Sequence, residues 1–520
     1  MEYRSIDGSG NDPGNPLTNV TNTAFLRLAP EYFADDQRGL VDGPNPRSIS
    51  NVVVGEGAAD IENPQGLSGM MYAWGQFIDH DINLTADSRT GQPISIVIPK
   101  GDPVFADGTI IPMSRADVDA NGDPVNAVTG WIDGSMVYGS TEATAARLRA
   151  PDGHMLMSEG RNLPVGPVDP TGEDAAQSGG LLGHIAGDGR ADENPSLTAL
   201  QTLFVREHNW QVDRLYAGNP CLDGDTVFNM ARAIVTAEIQ NITYQEFLPH
   251  LLGDLAPGEY RGFDDAVDPR MAIEFAGAAY RFGHSTVSPR TEKLDEYGHP
   301  AGEISLRETF FLTPAEFAAD GGADGLLRHL ASDLSQAMDA RIVEDLRNFL
   351  FDPPVGLDLA AINIQRGRDL GLPHLNEMRE ALHLDPYTAF CQITDDQGTV
   401  AALEQAFGSV DAVDLWTGGL AERVMPGAFV GETFGLIIAD QFERSRDGDR
   451  LWFENQGFDA ETLQQIRHSG LSDIILRNTD TQHIQDDVFT FAERRAEGSE
   501  AMDPELPQLV IPLPADTVLA

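Results

Sequence analysis

Trp74-Gly75-Gln76-Phe77-Ile78-Asp79-His80-Asp81 closes a mostly apolar segment with a glutamine, a histidine and two acids. The spacing predicts a helix over Ser68–Asp81. Gln76, Asp79 and His80 then stand at i, i+3 and i+4 and share a face. That face is otherwise rich in Met, Tyr, Trp and Phe. Polar groups set among them are costly to bury without compensation, which marks the cluster as a site. Asp81 points to another side of the helix, so its role is separate.

The surrounding chain has 520 residues, 41% of them hydrophobic, with 24 Phe, enough for a large buried core. Its formal charge is −48, from 82 acids against 34 bases, and lysine occurs only at Lys100 and Lys293. Such a surface repels nucleic acid and anionic membranes and suits a protein that stays soluble in salt or holds divalent cations. Two cysteines, Cys221 and Cys391, leave one bridge open and give no metal cluster. No apolar run reaches the roughly 18 residues that span a bilayer. Met1 is followed by Glu2-Tyr3-Arg4 rather than a signal segment, so the expectation is a cytoplasmic chain, export by another route, or a mature form or fragment.

Residues 1–60 are rich in Gly, Asn and Pro and are expected to form an arm lying over the body. Residues 61–500 are expected to form the core, and 501–520 an extended, Pro-rich tail. Helical periodicity recurs over Ser196–Val212, with Asn194-Pro195-Ser196 as its start signal, and over Thr226–Leu248. Further helices are predicted at Pro269–Phe282, Asp333–Leu350, His374–Leu382, Val400–Phe407 and Asp459–Leu471. Strand-like pieces such as Ile94–Ile98 are few and short. Without repeats or a clean linker, the expectation is a mainly α protein, a single large helical domain with long loops.

Four more segments carry chemistry. Thr129-Gly130-Trp131-Ile132-Asp133-Gly134-Ser135 alternates oxygen donors: the Thr129 hydroxyl, Trp131 carbonyl, Asp133 carboxylate and Ser135 hydroxyl. Alternating oxygens suit calcium, and Asp81 can add a carboxylate; the plain alternative is a polar turn. Gly187-Asp188-Gly189-Arg190-Ala191-Asp192-Glu193-Asn194 carries an arginine in a Gly-rich loop, free to enter a pocket or to pair with Asp192 or Glu193. Tyr280-Arg281-Phe282-Gly283-His284-Ser285 closes a helix with a histidine that is a ligand or a structural residue. In Ile362-Asn363-Ile364, the flanking apolar residues imply a buried amide that needs partners.

In this order, the five segments resemble the animal-type haem peroxidases of the peroxidase–cyclooxygenase superfamily. The resemblance runs from about residue 3 to residue 490 and takes in Arg206-Glu207-His208-Asn209, Asp414–Gly419 and Arg446–Arg450. It implies a helical haem peroxidase domain that binds haem b and calcium. The implied reaction is the oxidation, by hydrogen peroxide, of a small anionic or phenolic reductant. His80 would be the distal base, Arg190 the fixed positive charge, and Gln76 the hydrogen bond to a distal water or halide. His284 would be the proximal iron ligand, with Asn363 accepting a hydrogen bond from its other nitrogen. Arg281 would pair with a haem propionate or a buried acid. Asp79 and Glu193 match the acids that form esters to the haem. Asp81, Thr129, Trp131, Asp133 and Ser135 match the family's calcium site. Asn194 stands where one member of the family has a methionine bonded to a haem vinyl group. This departure favours bromide, iodide, thiocyanate and phenols over chloride. The resemblance also implies a secreted or extracellular protein, and the scarcity of cysteine looks more like a bacterial relative.

Two alternatives remain at this stage. A fatty-acid dioxygenase of the same superfamily needs a tyrosine three residues before the proximal histidine, where this chain has Arg281, with Tyr280 one residue further away. A calcium-stabilised adhesion or matrix protein without activity has no need of His80, Arg190 and His284. His208, beside Arg206 and Glu207, reads as part of a structural polar network. The sequons at Asn19, Asn83 and Asn241 are of a kind that chance supplies in a chain this long.

Overall fold

In a computed structural model, the described residues are 2–35, 37–56, 61–88, 91–167, 182–310, 312–319, 321–349 and 357–492. The expected tail at 501–520 lies outside them. The site is built on helices α1 (Met70–Ile82), α2 (Pro195–Gly218), α3 (Gly224–Ile242), α4 (Gly322–Ser332), α5 (Leu359–Asp369), α6 (Leu415–Ala421), α7 (Glu432–Asp447) and α8 (Leu471–Asn478). Strand is confined, among the described residues, to two-stranded antiparallel ladders, such as Ile96–Val97 on Ile110–Ile111.

Local chemistry starts several helices. Asn194 caps α2 by accepting from the Leu197 N–H, and Pro195 follows at the first position, where its missing N–H costs nothing. Asp223, Asp358 and Asp414 cap α3, α5 and α6 in the same way. Helix α2 packs on α1, α3, α4 and α8. Helix α1 also packs on the 3-10 turn Ala279–Ser285, and that turn packs in turn on α6 and α7. At the α1–α2 seam, Trp74 lies 5.3 Å from Phe77, 5.7 Å from Phe204 and 6.1 Å from Phe489, ring to ring.

Three predicted helices differ in the structure. Among the described residues of Asp333–Leu350 only Glu344–Arg347 is helical, and the long helix is the preceding α4. Residues 333–337 run extended because their main chain pairs with the approach to α1, as in Gly69 N–H to Asp333 O (2.9 Å) and Ser335 N–H to Leu67 O (3.1 Å). Pro269–Phe282 breaks at Ala278 into Ile273–Gly277 and the 3-10 turn. Asp459–Leu471 ends at Arg467, and Gly470 opens α8. Helices α4, α5, α6, α7 and α8 were not anticipated.

The N-terminal residues are tied down by long-range contacts. Buried Arg4 pairs with Asp449, and the Asn19 amide donates to Gly130 O (3.1 Å) and Pro269 O (2.9 Å). Asn19, Asn83 and Asn241 are all buried, which rules out glycosylation there in the folded protein. Cys221 and Cys391 are exposed free thiols. His208 is structural, held by the Tyr138 hydroxyl and Gly153 O at 3.0 Å each. No helix among the described residues is long and apolar enough to cross a membrane.

Trp74 is fully buried at the seam that orients α1. Trp74→Ala should lower stability by about 3–5 kcal/mol, read as a shifted denaturation midpoint with an unchanged slope.

Candidate active site

Every residue of α1 is buried except Gln76 and Asp79. A helix without an outer face that still has two reachable polar side chains must border an internal crevice. Arg190, Glu193, Arg281 and His284 are likewise only part-buried. For Asp79, Arg190, Arg281 and His284, the largest perturbation of the charge is nevertheless loss of water. Three buried polar atoms near the end of α1, His80 Nδ1, Asn83 Oδ1 and Thr85 Oγ1, have no hydrogen-bond partner among the described residues.

One wall is the distal cluster. Asp188 caps a short 3-10 turn, Gly189–Asp192, and accepts the Arg190 N–H at 2.8 Å. The same carboxylate grips the Arg190 guanidinium at 2.9 Å (Nε) and 2.8 Å (Nη2). Arg190 Nη2 also donates to Asn83 O at 3.1 Å. Asp188 Oδ1 lies 3.8 Å from His80 Nδ1, and Glu193 Oε2 lies 3.7 Å from His80 Nε2. Gln76 Nε2 donates to Glu193 Oε2 (3.0 Å), and Asn194 Nδ2 donates to Gln76 Oε1 (2.8 Å). Burial, then the Arg190 charge, pushes the His80 pKa down to about 3, against the pull of Asp188. His80 is therefore a neutral base at any physiological pH. Burial raises the Asp79 carboxyl, while Arg190, the Asn83 amide and Arg281 pull it down.

His284 lies in the 3-10 turn Ala279–Ser285, which packs on α1 and which Ser285 Oγ anchors to Asp339 O at 2.7 Å. Asn363 reaches it from α5. Here the structure differs in detail from the sequence expectation. The amide Nδ2 faces His284 Nδ1 at 2.8 Å, because Asn363 Oδ1 accepts from Arg281 Nη1 at 2.7 Å. Burial, then the Arg281 charge, pushes the His284 pKa down to about 3. A neutral imidazole is the form that binds a metal. The site's make-up fits haem: a neutral, part-buried histidine, polar atoms near α1 without partners among the described residues, and two arginines, Arg190 and Arg281.

Behind His80 the segment Thr129–Ser135 closes on Asp81. Its carboxylate accepts the N–H groups of Gly134 (3.1 Å) and Ser135 (2.5 Å), and Ser135 Oγ donates to Asp81 O (2.7 Å). Asp133 Oδ1 accepts from Thr129 Oγ1 at 3.1 Å, while Asp133 Oδ2 is buried without a partner among the described residues. Burial and the Asp133 charge push the Asp81 pKa up to about 8. Burial pushes Asp133 up to about 6, against Arg232 and Arg4. Two facing carboxylates repel unless one of them is protonated or a cation sits between them. Among the described residues no three His, Cys, Asp or Glu side chains converge on one metal site. This loop brings two carboxylates with hydroxyls and a carbonyl, the donor set of a hard ion.

Asp188 is the site residue that sequence reasoning missed. Its one local signal was an acid two residues before the arginine, at a helix start.

The sequence profile of the animal haem peroxidase family matches residues 3–489, and the chain belongs to that family. Peroxinectin A of Dictyostelium discoideum is 32% identical over 519 residues, covering 94% of this chain and 96% of that protein. The peroxidasin homologue pxn-2 of Caenorhabditis elegans is 32% identical over 564 residues, covering 94% of this chain; the chain spans 42% of that relative's length. The solved structure of peroxidase A from Dictyostelium discoideum superposes with a TM-score of 0.85 at 32% identity, covering 94% of this chain and all of that one. A fatty acid alpha-dioxygenase from Arabidopsis thaliana shares the fold, with a TM-score of 0.80 at 22% identity over 98% of this chain and 85% of its own.

Removing Asp188 leaves Arg190, only 14% exposed, without its carboxylate. Asp188→Ala should cost about 3–5 kcal/mol at pH 7, read from denaturant unfolding. Burial raises the Asp188 carboxyl, but the Arg190 charge and hydrogen bonds bring it below its ordinary value. Its contribution is therefore present above the unfolded pKa, near 4, and the gap between wild type and variant should close as pH falls below that.

Proposed function

We propose that this chain is a haem-dependent peroxidase that uses hydrogen peroxide to oxidise small anionic or phenolic reductants. One arrangement supports the reading: neutral His80 beside the Asp188-held Arg190 on one wall, and neutral His284 on the other. Bound haem supplies an iron that takes up peroxide and stores its two oxidising equivalents. His80 Nε2 takes a proton from one peroxide oxygen and returns it to the other as the O–O bond breaks. Arg190 meets the negative charge that develops on the departing oxygen, and Asp188 keeps the guanidinium from turning away.

His284 would hold the iron through one ring nitrogen and keep its proton on Nδ1, which Asn363 would accept with its oxygen after a half-turn of its amide; Arg281, released from that oxygen, would be free to pair with a haem carboxylate. Asp79 and Glu193 would be the acids that tether bound haem through ester bonds, and an ester at Asp79 would remove a charge that burial disfavours. Esterification of Glu193 also takes an anion away from His80 and frees the Gln76 amide for a water or halide. Asp81, Thr129, Trp131, Asp133 and Ser135 would hold calcium, which would brace the helix that carries His80.

Bromide, iodide and thiocyanate are favoured over chloride. Asn194 is committed to capping α2, accepting from Leu197 N–H at 3.0 Å, and to Gln76, and it has no sulfur to join a haem vinyl group. The acidic surface and the oxidants formed suit work outside the cell. Dioxygenase chemistry lacks its tyrosine, because the residue three before His284 is Arg281, bonded to Asn363.

His80→Ala should keep haem bound and slow the stopped-flow reaction with peroxide by at least about 10²-fold. In the wild type that rate should stay flat from about pH 5 to 8, since a base already neutral has nothing to lose there. An unimpaired variant contradicts the distal assignment, whereas a rate falling tenfold per unit below pH 6.5 would mean that His80 keeps an ordinary imidazole pKa and is not held neutral by its burial.

A further inference from the structure

Three acids share the loop that carries Arg190. Asp188 precedes it by two residues, and Asp192 and Glu193 follow it by two and three. An arginine reaches an acid two residues away with ease: Arg190 grips Asp188 at 2.8 Å, and Arg270 grips Asp268 at 2.7 Å. Each acid of the loop is thus a rival for one guanidinium. Asp188 is the one that lies 3.8 Å from His80 Nδ1, so pairing with Asp188 keeps the charge beside the base.

Asp192 is withdrawn from this competition by a partner of its own. Its Oδ1 lies 2.7 Å from His184 Nδ1, and its Oδ2 accepts the His184 backbone N–H at 2.7 Å. A carboxylate can only accept, so the ring carries a proton on Nδ1. His184 ends the strand Leu182–His184, which pairs antiparallel with Val165–Pro167, so the donor is fixed in a ladder and cannot follow the carboxylate elsewhere. The His184 side chain is 1% exposed, and its ring stands edge-on to Phe317 at 5.1 Å. Its Nε2 is buried without a hydrogen-bond partner among the described residues. Packing does not account for a histidine there, because phenylalanine would fill the space without leaving a polar atom unpartnered. What the imidazole adds is the donor aimed at Asp192.

We propose that His184 is a positioning residue that acts through Asp192. By holding that carboxylate on the strand, it reserves Arg190 for Asp188 and Asn83 O. The device is specificity by removal of a competitor. Without His184, Asp192 keeps a charge whose side chain is only 18% exposed, and it draws the guanidinium two residues before it. Arg190 then leaves Asn83 O and its place beside His80. The consequence for peroxide cleavage rests on the peroxidase reading; the placement of Arg190 does not.

The test compares wild type with His184→Phe and His184→Ala, each with and without Asp192→Asn. Asp192→Asn keeps an acceptor oxygen and removes the charge that competes for Arg190. Crystal structures of the full chain, with and without haem, should show Arg190 on Asp192 in the single His184 variants and back on Asp188 once Asp192→Asn is added. In the haem-loaded chain, the stopped-flow reaction with peroxide should slow by about tenfold or more in the single variants and return to within about threefold of wild type in the double ones. A pair that merely tied the turn to the strand would give no such rescue. Arg190 still on Asp188 in the single variants, or double variants as slow as the single ones, overturns the proposal. A wild type that binds haem but does not react with peroxide, in a series where the variants still move Arg190, supports the placement and overturns the peroxidase reading.

Discussion

Asp81 is a buried carboxylate that faces a second one, Asp133, across a loop whose N–H groups it also accepts. The distal half of the crevice is registered to that contact. Asp81 follows His80 on α1, so the loop fixes the base along the helix axis. The one-turn helix Ser135–Tyr138 leaves the same loop and packs against Gly187, where a Cβ would come within 2.4 Å of Ser135 O. The next residue, Asp188, donates its N–H to Met136 O at 3.1 Å and grips Arg190 with its side chain. The base and the positive charge, which approach each other from distant parts of the chain, are thus set against one loop. A cation between Asp81 and Asp133 would stiffen both placements at once, the kind of support from behind that reactive groups require.

The crevice concentrates charge that its surroundings solvate poorly. Arg190 is offset by Asp188, and Arg281 is tied to the Asn363 amide and Ala276 O. The two histidines escape the cost by staying neutral. Burial likewise disfavours the charged form of Asp79, against the pull of both arginines. An ester at Asp79 would remove a charge that the fold holds at a penalty.

Much of this was legible in the sequence, for identifiable reasons. The helix with His80 announces itself because its apolar run is long and its polar residues fall at helical spacing. Helix α2 announces itself through Asn194-Pro195, which cap and start it in the structure as their chemistry requires. The missed parts depend on partners far away in the chain. Residues 333–337 have an ordinary helical pattern, but hydrogen bonds to the approach of α1 hold them extended. Gln76 looked free to meet a ligand. Glu193, 117 residues on, and Asn194, 118 residues on, occupy both ends of its amide. The orientation of Asn363 depends on Arg281, a contact that no local pattern encodes. Asp188 was hidden for the opposite reason, since an acid beside glycines reads as a solvated loop until Arg190 folds back onto it.

The central claim is that His284 holds a haem iron facing His80 and Arg190. Haem titration followed by absorption spectroscopy tests it most directly, with His284→Gly compared in the absence and presence of imidazole. The wild type should take up one haem per chain, with the spectrum of a histidine-ligated iron. His284→Gly should lose that spectrum, and added imidazole should restore it by filling the space left by the side chain. A wild type that stays colourless, or a His284→Gly protein whose spectrum matches the wild type without imidazole, would contradict the account.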